Sequence, residues 1–120
     1  MVQVLMIEDD DDSREIVRDL LDSVGYEMIE AVTGPDGVRA AEEHQPDLIL
    51  IDVQLPGFDG FEATRRIKAN PALAHIPIIA VTAFAMSTDE VRAMEAGCDG
   101  YISKPFSPTT LLETINRFLP

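Results

Sequence analysis

The stretch DLILIDVQLPGFDG, residues 47–60, contains an apolar run, a single acid and a group of turn-forming residues. The run Leu48–Ile51 contains no polar residue and is followed at once by Asp52. Short apolar runs of this kind are typical of strands that are buried on both faces of a parallel sheet. Gly57 and Gly60 then indicate a turn. The stretch therefore predicts a buried parallel strand with a carboxylate at its carboxyl end.

The same alternation of short apolar runs and amphipathic segments extends along the whole chain. The predicted strands are rich in Ile, Val and Leu, and they are Val2–Ile7, Tyr26–Val32, Leu48–Ile51, Ile76–Val81 and Gly100–Ile102. Amphipathic segments with helix start and stop signals follow each of them. Five strand–helix repeats predict one α/β domain, a doubly wound five-stranded parallel sheet with five helices.

Capping residues mark the boundaries of the predicted helices. The first helix is expected to begin with a capping box at Asp12–Glu15 and to end at Gly25, with an inward face formed by Ile16, Val17, Leu20, Leu21 and Val24. The remaining helices are expected to begin at Thr33 with Pro35, at Asp59, at Ser87, and at Ser107 with Pro108. The fourth helix has only two large apolar residues, Val91 and Met94, so it should be the most easily moved.

Composition limits the classes of function. A chain of 120 residues with 46% hydrophobic content can bury a single core. No apolar run is long enough to span a membrane and no leader opens the chain, which favours the cytoplasm. The single cysteine, Cys98, fits a reducing compartment and is expected to be buried. A net charge of −13 argues against direct binding to nucleic acid and favours a protein partner.

Polar residues follow directly on the apolar strands. Glu8 and Asp9 follow the first strand, Asp52 the third and Thr82 the fourth, and Lys104 comes shortly after the fifth. Open parallel sheets bind ligands at the carboxyl ends of their strands, and those ends share one edge. We therefore expect three carboxylates, one hydroxyl and one ammonium group to converge there.

This set of side chains suits the chemistry of phosphoryl transfer. Three carboxylates in one place repel each other unless a cation lies among them, and Mg²⁺ prefers such oxygen ligands. A carboxylate can attack phosphorus to form an acyl phosphate. A metal ion, a lysine and a hydroxyl group can then stabilise the charge on the transferred group. The pattern predicts an aspartate that becomes phosphorylated.

Four segments together resemble a known family. VLMIEDD, PDLILIDVQLPGFDG, IPIIAVTAFA and GYISKPF, in this order, are similar to the motifs of response-regulator receiver domains (CheY-like domains) of two-component signalling. The resemblance covers essentially the whole chain and implies one receiver domain over residues 1–120. It also implies a flavodoxin-like sheet with strand order 2-1-3-4-5.

The resemblance implies a role for individual residues. Asp52 would be the phosphoacceptor, and Mg²⁺ would be bound by Asp9 and Asp52 directly, by Glu8 through water and by the backbone carbonyl of Gln54. Thr82 and Lys104 would contact the phosphoryl group. Tyr101 would be the switch residue that turns inward when Thr82 moves, and the Lys104–Pro105 bond would be cis.

The implied function is a phosphorylation-driven switch rather than an enzyme with a separate substrate, although the domain would assist its own phosphorylation and dephosphorylation. A histidine kinase or a histidine phosphotransfer protein would supply the phosphoryl group. A downstream protein would then read the face formed by helix 4, strand 5 and helix 5, which is also a candidate homodimer interface. Neither nucleic acid nor a membrane is expected as a direct partner.

Gln54 and Phe84 are candidates for controlling access of water to the phosphoryl group.

Several alternatives compete with this interpretation. A phosphatase of the haloacid-dehalogenase type needs a general acid where this chain has Gln54, and a flavin or nucleotide binder would not place five acids after its first strand. An EF-hand fails because Arg14 occupies its required glycine position. A solvated helix start explains Asp11 and Asp12 but not Glu8 and Asp9, and Asp10 is expected to border the pocket as a loop residue. The intact constellation argues against a non-phosphorylated interaction module with a relic site. A stand-alone domain and a receiver cut from a longer chain both fit the sequence, and Met1 directly before the first strand favours the former.

Overall fold

The computed structural model describes residues 1–83 and 87–119. Within these ranges five strands and five helices alternate, namely β1 Gln3–Ile7, α1 Asp11–Ser23, β2 Glu27–Ala31, α2 Gly34–His44, β3 Leu48–Asp52, α3 Gly60–Ala69, β4 Ile78–Thr82, α4 Ser87–Ala96, β5 Gly100–Ser103 and α5 Pro108–Phe118. In this described part of the chain, none of the helices combines the length and the apolar character needed to cross a membrane.

The strands form one parallel sheet with the order β2-β1-β3-β4-β5, which confirms the predicted fold. The chain reverses its direction of winding between β1 and β3, where Ile7 pairs with Ile51. Because the two strands end side by side, the residues that follow Ile7 lie next to Asp52. Asp52 in turn pairs with Val81 of β4, and Thr82 pairs with Ser103 of β5.

Alternate residues of each strand face opposite helical layers. One layer contains α1 and α5 and packs on a buried cluster of Val4, Met6, Val17, Leu21, Leu48, Leu50, Ile79, Val81, Ile102, Leu111 and Ile115. The other contains α2, α3 and α4 and packs on a cluster that includes Leu5, Ile7, Ile49, Ile51, Phe61, Ile67, Ile78, Ala80, Ala93 and Ala96. Both faces of the sheet are covered, which explains why the central strands are apolar throughout.

The start of α1 differs from the prediction. Asp10 is the N-cap, and its carboxylate accepts hydrogen bonds from the Ser13 backbone N–H (3.1 Å) and the Ser13 hydroxyl (2.6 Å). The expected capping box beginning at Asp12 was therefore wrong, because Asp10 and Ser13 have the same three-residue spacing. The inward face is also narrower than predicted, since Ile16 is 61% exposed and Val24 is 43% exposed.

The starts of β4 and α4 can also be compared with the predicted element boundaries. β4 begins at Ile78 rather than at Ile76, although Ile76 is buried in the preceding turn. Pro77 has no N–H to donate to a sheet, so the apolar run was longer than the strand. The predicted start signal of α4 at Ser87 lies outside the described part, which leaves out residues 84–86 and the side chains of 87–89.

The described residues of helix α4 bury only small apolar side chains in the core. Its two large apolar residues, Val91 and Met94, are 54% and 50% exposed. The buried residues described on this helix are the small Ala93 and Ala96. The described residues of α4 thus bury little apolar area, and the expectation that this helix is the most easily moved stays a prediction.

Candidate functional site

The carboxyl edge of the sheet brings three predicted acids together. Glu8, Asp9 and Asp52 each present a carboxylate oxygen, and these atoms all lie within 4.8 Å of one another. The proximity follows from the pairing of Ile7 with Ile51, because Glu8 and Asp52 are the next residues on adjacent strands. Glu8 is buried, Asp9 is exposed and Asp52 is partly buried.

Lys104 connects two of these acids. Its ammonium group donates to the carboxylate of Glu8 and to Oδ2 of Asp52, the latter at 3.1 Å. The lysine is positioned by its own backbone, whose N–H donates to the Thr82 carbonyl at 2.7 Å. The Lys104–Pro105 peptide bond is cis, as the resemblance implied.

The charges in this cluster are not balanced. Burial, together with a hydrogen bond to Asp52, raises the pKa of Glu8 from 4.5 to about 7, although Lys104 acts in the opposite direction. Burial alone would lower the pKa of Lys104, but its contacts with Glu8 and Asp52 outweigh burial and raise it. One ammonium group therefore does not compensate three neighbouring carboxylates. A small cluster of oxygen donors with excess negative charge is the kind of site that fits a hard divalent cation.

The loop after β3 fixes the position of Asp52. Its Oδ1 accepts a hydrogen bond from the Gln54 backbone N–H at 2.9 Å. Gly57 has a φ of +89°, as a turn glycine should. Gly60 was expected to be a second turn residue, but it is the first residue of α3 and packs closely on the strand end. A Cβ there would lie 2.3 Å from the Asp52 carbonyl oxygen, so only glycine allows this contact.

Thr82 is the last residue of β4, and Tyr101 lies on the neighbouring edge strand β5. Thr82 is 1% exposed and ends β4 next to the strand that carries Asp52. Tyr101 is half-buried and packs against the cluster on the α4 side of the sheet. Their roles as phosphoryl contact and switch residue stay predictions. Phe84 lies outside the described residues, so its predicted effect on water access also stays a prediction.

A cavity of about 480 Å³ opens beside Asp9, one of the three acids. It is lined by Asp9, Val53, Gln54, Leu55, Pro56, Asp59, Phe61, Thr82 and Arg92. Arg92 comes from α4, and its guanidinium carbon lies 4.6 Å from the centroid of the Phe61 ring. The sequence gives no direct indication of this contact, because it depends on how α3 and α4 pack.

Arg14 is a second residue that sequence reasoning missed. Its Nη1 donates to the backbone carbonyl of Glu8 at 2.8 Å, and its Nε donates to Glu30 at 3.2 Å. The side chain is only 12% exposed. In the sequence Arg14 stands out merely as the residue that breaks an EF-hand spacing. The available indication is its position, since a basic residue one turn into a helix that follows an acidic loop can bind back to that loop.

The remaining acids of the run act as a helix start. Hydrogen bonds from Ser13 lower the pKa of Asp10 below its ordinary value. Asp11 and Asp12 lie in the first turn of α1 and are exposed, where negative charge favours the positive end of the helix dipole. The expectation that Asp10 borders the pocket from a loop was wrong, because its carboxylate is used for capping.

The fold and the arrangement of acids and lysine are those of a receiver, and sequence comparison agrees. The chain belongs to the response regulator receiver domain family, whose sequence profile matches residues 4–116. It is thus a phosphoacceptor response regulator of two-component signalling. This membership removes the phosphatase and flavin-binding alternatives.

Particular relatives support the same conclusion. The chain is 47% identical over 116 residues to the polar-differentiation response regulator DivK of Brucella ovis, covering 97% of this chain and 94% of that protein. The receiver domain of the sensor histidine kinase PA1611 of Pseudomonas aeruginosa, crystallised with a magnesium ion coordinated in its active-site cleft, has a TM-score of 0.91 at 35% identity over 98% of this chain and 96% of that one. The chemotaxis protein CheY4 of Vibrio cholerae has a TM-score of 0.94 at 30% identity over 99% of both chains.

Proposed function

We propose that Asp52 is the residue that accepts the phosphoryl group, from a phosphohistidine on a histidine kinase or a histidine phosphotransfer protein. The observation that carries this proposal is the environment of its carboxylate. Oδ2 of Asp52 contacts the ammonium group of Lys104 at 3.1 Å, and two further acids lie within 4.8 Å. An aspartate placed at a strand end between a cation and an acid pair is suited to form an acyl phosphate.

The acid cluster is the proposed Mg²⁺ site. Glu8, Asp9 and Asp52 would hold the ion together with the backbone carbonyl of Gln54. When bound, the ion neutralises charge on the phosphoryl oxygens. The magnesium ion in the related PA1611 receiver domain supports this assignment.

The chain's own residues carry the rest of the transfer. A carboxylate oxygen of Asp52 attacks phosphorus in line with the bond to the donor imidazole nitrogen, and that bond breaks as the acyl phosphate forms. Lys104 keeps its ammonium charge near the transferred oxygens, and the Thr82 hydroxyl donates a hydrogen bond to them. Attack of water on phosphorus later releases inorganic phosphate and regenerates the carboxylate. The domain thus assists reactions of its own side chain, without a separate substrate to turn over.

The output is proposed to be a change in the face formed by α4, β5 and α5. Thr82 moves toward the phosphoryl group and Tyr101 occupies the space that it leaves. A downstream protein, or a second copy of the chain, would bind the altered face in the cytoplasm. Residues 1–120 would act as a single receiver domain in this scheme. The light anchorage of α4 supports it, because Val91 and Met94 are largely exposed.

The test is labelling with acetyl phosphate in the presence and absence of Mg²⁺. Mass spectrometry should detect one added phosphate that hydroxylamine removes. Asp52→Asn should abolish the label, and Asp12→Asn should retain it, since Asp12 is an exposed acid in the first turn of α1 and changes the net charge equally. Labelling of the Asp52→Asn protein, or no labelling of the unmodified chain, would refute the proposal and leave a relic interaction module.

A further inference from the structure

Arg92 is a basic residue of α4 that lines the cavity. It lines the cavity of about 480 Å³ together with Asp9, Gln54 and Thr82, and no other lining residue in the described part of the chain carries a positive charge. Lys104 approaches the acids separately, through its contacts with Glu8 and Asp52. The cavity therefore has a cation of its own that the proposed chemistry leaves unassigned.

The position of Arg92 is set by an aromatic ring on the fixed side of the cavity. Its guanidinium carbon lies 4.6 Å from the centroid of Phe61, a side chain that is only 2% exposed. Phe61 directly follows Gly60, whose close contact with the Asp52 carbonyl holds the start of α3 against β3. Phe61 thus positions the guanidinium group at the cavity that is also lined by Val53 and Gln54, the residues directly after Asp52.

The contacts of Arg92 with the described side chains differ from those of most other basic residues in the chain. Arg14, Lys68 and Lys104, like most basic residues of this acidic chain, form ion pairs. Among the side chains that the structure describes, Arg92 forms no ion pair with a carboxylate. A cation held next to an acidic cavity without such a partner can respond strongly when the charge in that cavity becomes more negative.

We propose that Arg92 binds the phosphoryl group carried by Asp52 and so couples the position of α4 directly to phosphorylation. The inference rests on the proposed function, because it requires Asp52 to be the acceptor. A phosphoryl group adds negative charge and oxygens that match the planar fork of a guanidinium group. Arg92 therefore interacts differently with the two states of the site, which is the condition for shifting a conformational equilibrium.

The weak anchorage of α4 makes this interaction effective. Ala93 and Ala96 are the residues of α4 described as buried, and Val91 and Met94 on its outer side are half exposed. A single charge-assisted contact from Arg92 is then a substantial part of what holds the helix in place. Coupling through Thr82 and Tyr101 passes along the sheet, whereas coupling through Arg92 acts on α4 itself.

Arg66 provides a matched control. Its guanidinium carbon lies 4.2 Å from the centroid of Phe58, so it makes the same type of contact with an aromatic ring near the same helix. Arg66 pairs with Glu62 at 3.1 Å and does not line the cavity. Arg92→Gln and Arg66→Gln remove the same charge, but only the first removes a cation from the site.

Hydrogen exchange of the α4 amides tests the inference on the full chain. Exchange is measured with and without beryllofluoride and Mg²⁺, a stable substitute for the phosphoryl group, in the unmodified protein and in both variants. We expect the change on loading to fall about threefold or more in Arg92→Gln, to be partly retained in Arg92→Lys and to be unaltered in Arg66→Gln. A merely structural role for Arg92 would alter exchange equally in both states and leave the difference intact.

Acetyl phosphate labelling separates the two proposals. Labelling that persists in Arg92→Gln with a reduced α4 response supports the inference. Normal labelling with an undiminished α4 response in Arg92→Gln, or with no α4 response in the unmodified protein, overturns the inference and leaves the function of Asp52 in place. Absence of labelling in the unmodified protein overturns both.

Discussion

The ammonium group of Lys104 donates a hydrogen bond to the carboxylate of Glu8, a residue 96 positions away whose side chain is 1% exposed. Glu8 follows the inner strand β1 and Lys104 follows the edge strand β5, so this ion pair connects two strands that are not neighbours in the sheet. It also contains a buried acid, Glu8, whose pKa is raised because burial disfavours the charged carboxylate. The properties of the site without metal should therefore depend on this pair.

Substitution of Lys104 should lower the stability of the metal-free protein, because Glu8 is buried. We expect Lys104→Met to lower the free energy of unfolding by about 1–3 kcal/mol without Mg²⁺, because it leaves a buried carboxylate without its cation. The loss should be larger at about pH 8 than at about pH 6, because a protonated Glu8 needs no cation. Urea denaturation measures both values. The double variant Glu8→Gln/Lys104→Met should recover most of the loss, and additive effects of the two substitutions would contradict the prediction.

The raised pKa of Glu8 should make the metal-free protein less stable as pH increases. The folded state keeps a proton on Glu8 up to about pH 7, whereas the unfolded chain releases it near 4.5. The stabilising contribution is thus complete below 4.5 and is lost as pH rises through about 7. Thermal denaturation should show that the melting temperature of the unmodified protein falls relative to that of Glu8→Gln as pH rises over this range, because Gln does not titrate. Parallel curves would show that Glu8 titrates normally.

Mg²⁺ should raise the melting temperature by a few degrees at millimolar concentration, because it binds the folded acid cluster and not the unfolded chain. Asp9→Asn should abolish this response. Its metal-free stability should be equal or higher, since the substitution relieves repulsion among the three carboxylates. Asp12→Asn is the control, because it removes an exposed charge from the first turn of α1 and should keep the response to Mg²⁺. Equal Mg²⁺ responses in both variants would exclude Asp9 as a ligand.

Arg14 should position the loop that carries the acid pair. Arg14→Gln removes the hydrogen bond to the Glu8 carbonyl, so we expect weaker Mg²⁺ binding and acetyl phosphate labelling slower by several-fold, with the fold retained. Arg18→Gln is the matched control because Arg18 shares the partner Glu30, and no contact joins it to Glu8 among the described residues. Mg²⁺ titration and labelling kinetics of both variants measure the difference. Identical behaviour of the two would assign Arg14 a general role in stability only.

The carboxyl ends of the strands were predictable because each apolar run is followed directly by a polar residue. Asp52 and Thr82 were therefore placed correctly from sequence alone, and parallel topology then required the acids to meet. The contacts of Arg14 and Arg92 were not predictable in this way. Each contact depends on the direction in which the helix points the arginine side chain and on the element that lies next to it. The apolar face of a helix, which is what the sequence shows, does not determine either of them.

The face of α1 shows the same limit. Ile16 and Val17 are adjacent, apolar and β-branched, yet Val17 is 1% exposed and Ile16 is 61% exposed. A rotation of one residue position on a helix is about 100°, so the start of the helix decides which of them is buried. The start was mistaken because Asp10 and Asp12 both satisfy the spacing of an N-cap.

Cys98 has a practical consequence for studying this molecule. It is 6% exposed, and burial raises the pKa of its thiol, so reagents that attack thiolates should leave it unmodified. A cysteine introduced at the exposed position of Met94 would then be the single reactive thiol among the described residues. A fluorophore attached there would report the movement of α4 in real time, in a protein that needs no background cysteine removed.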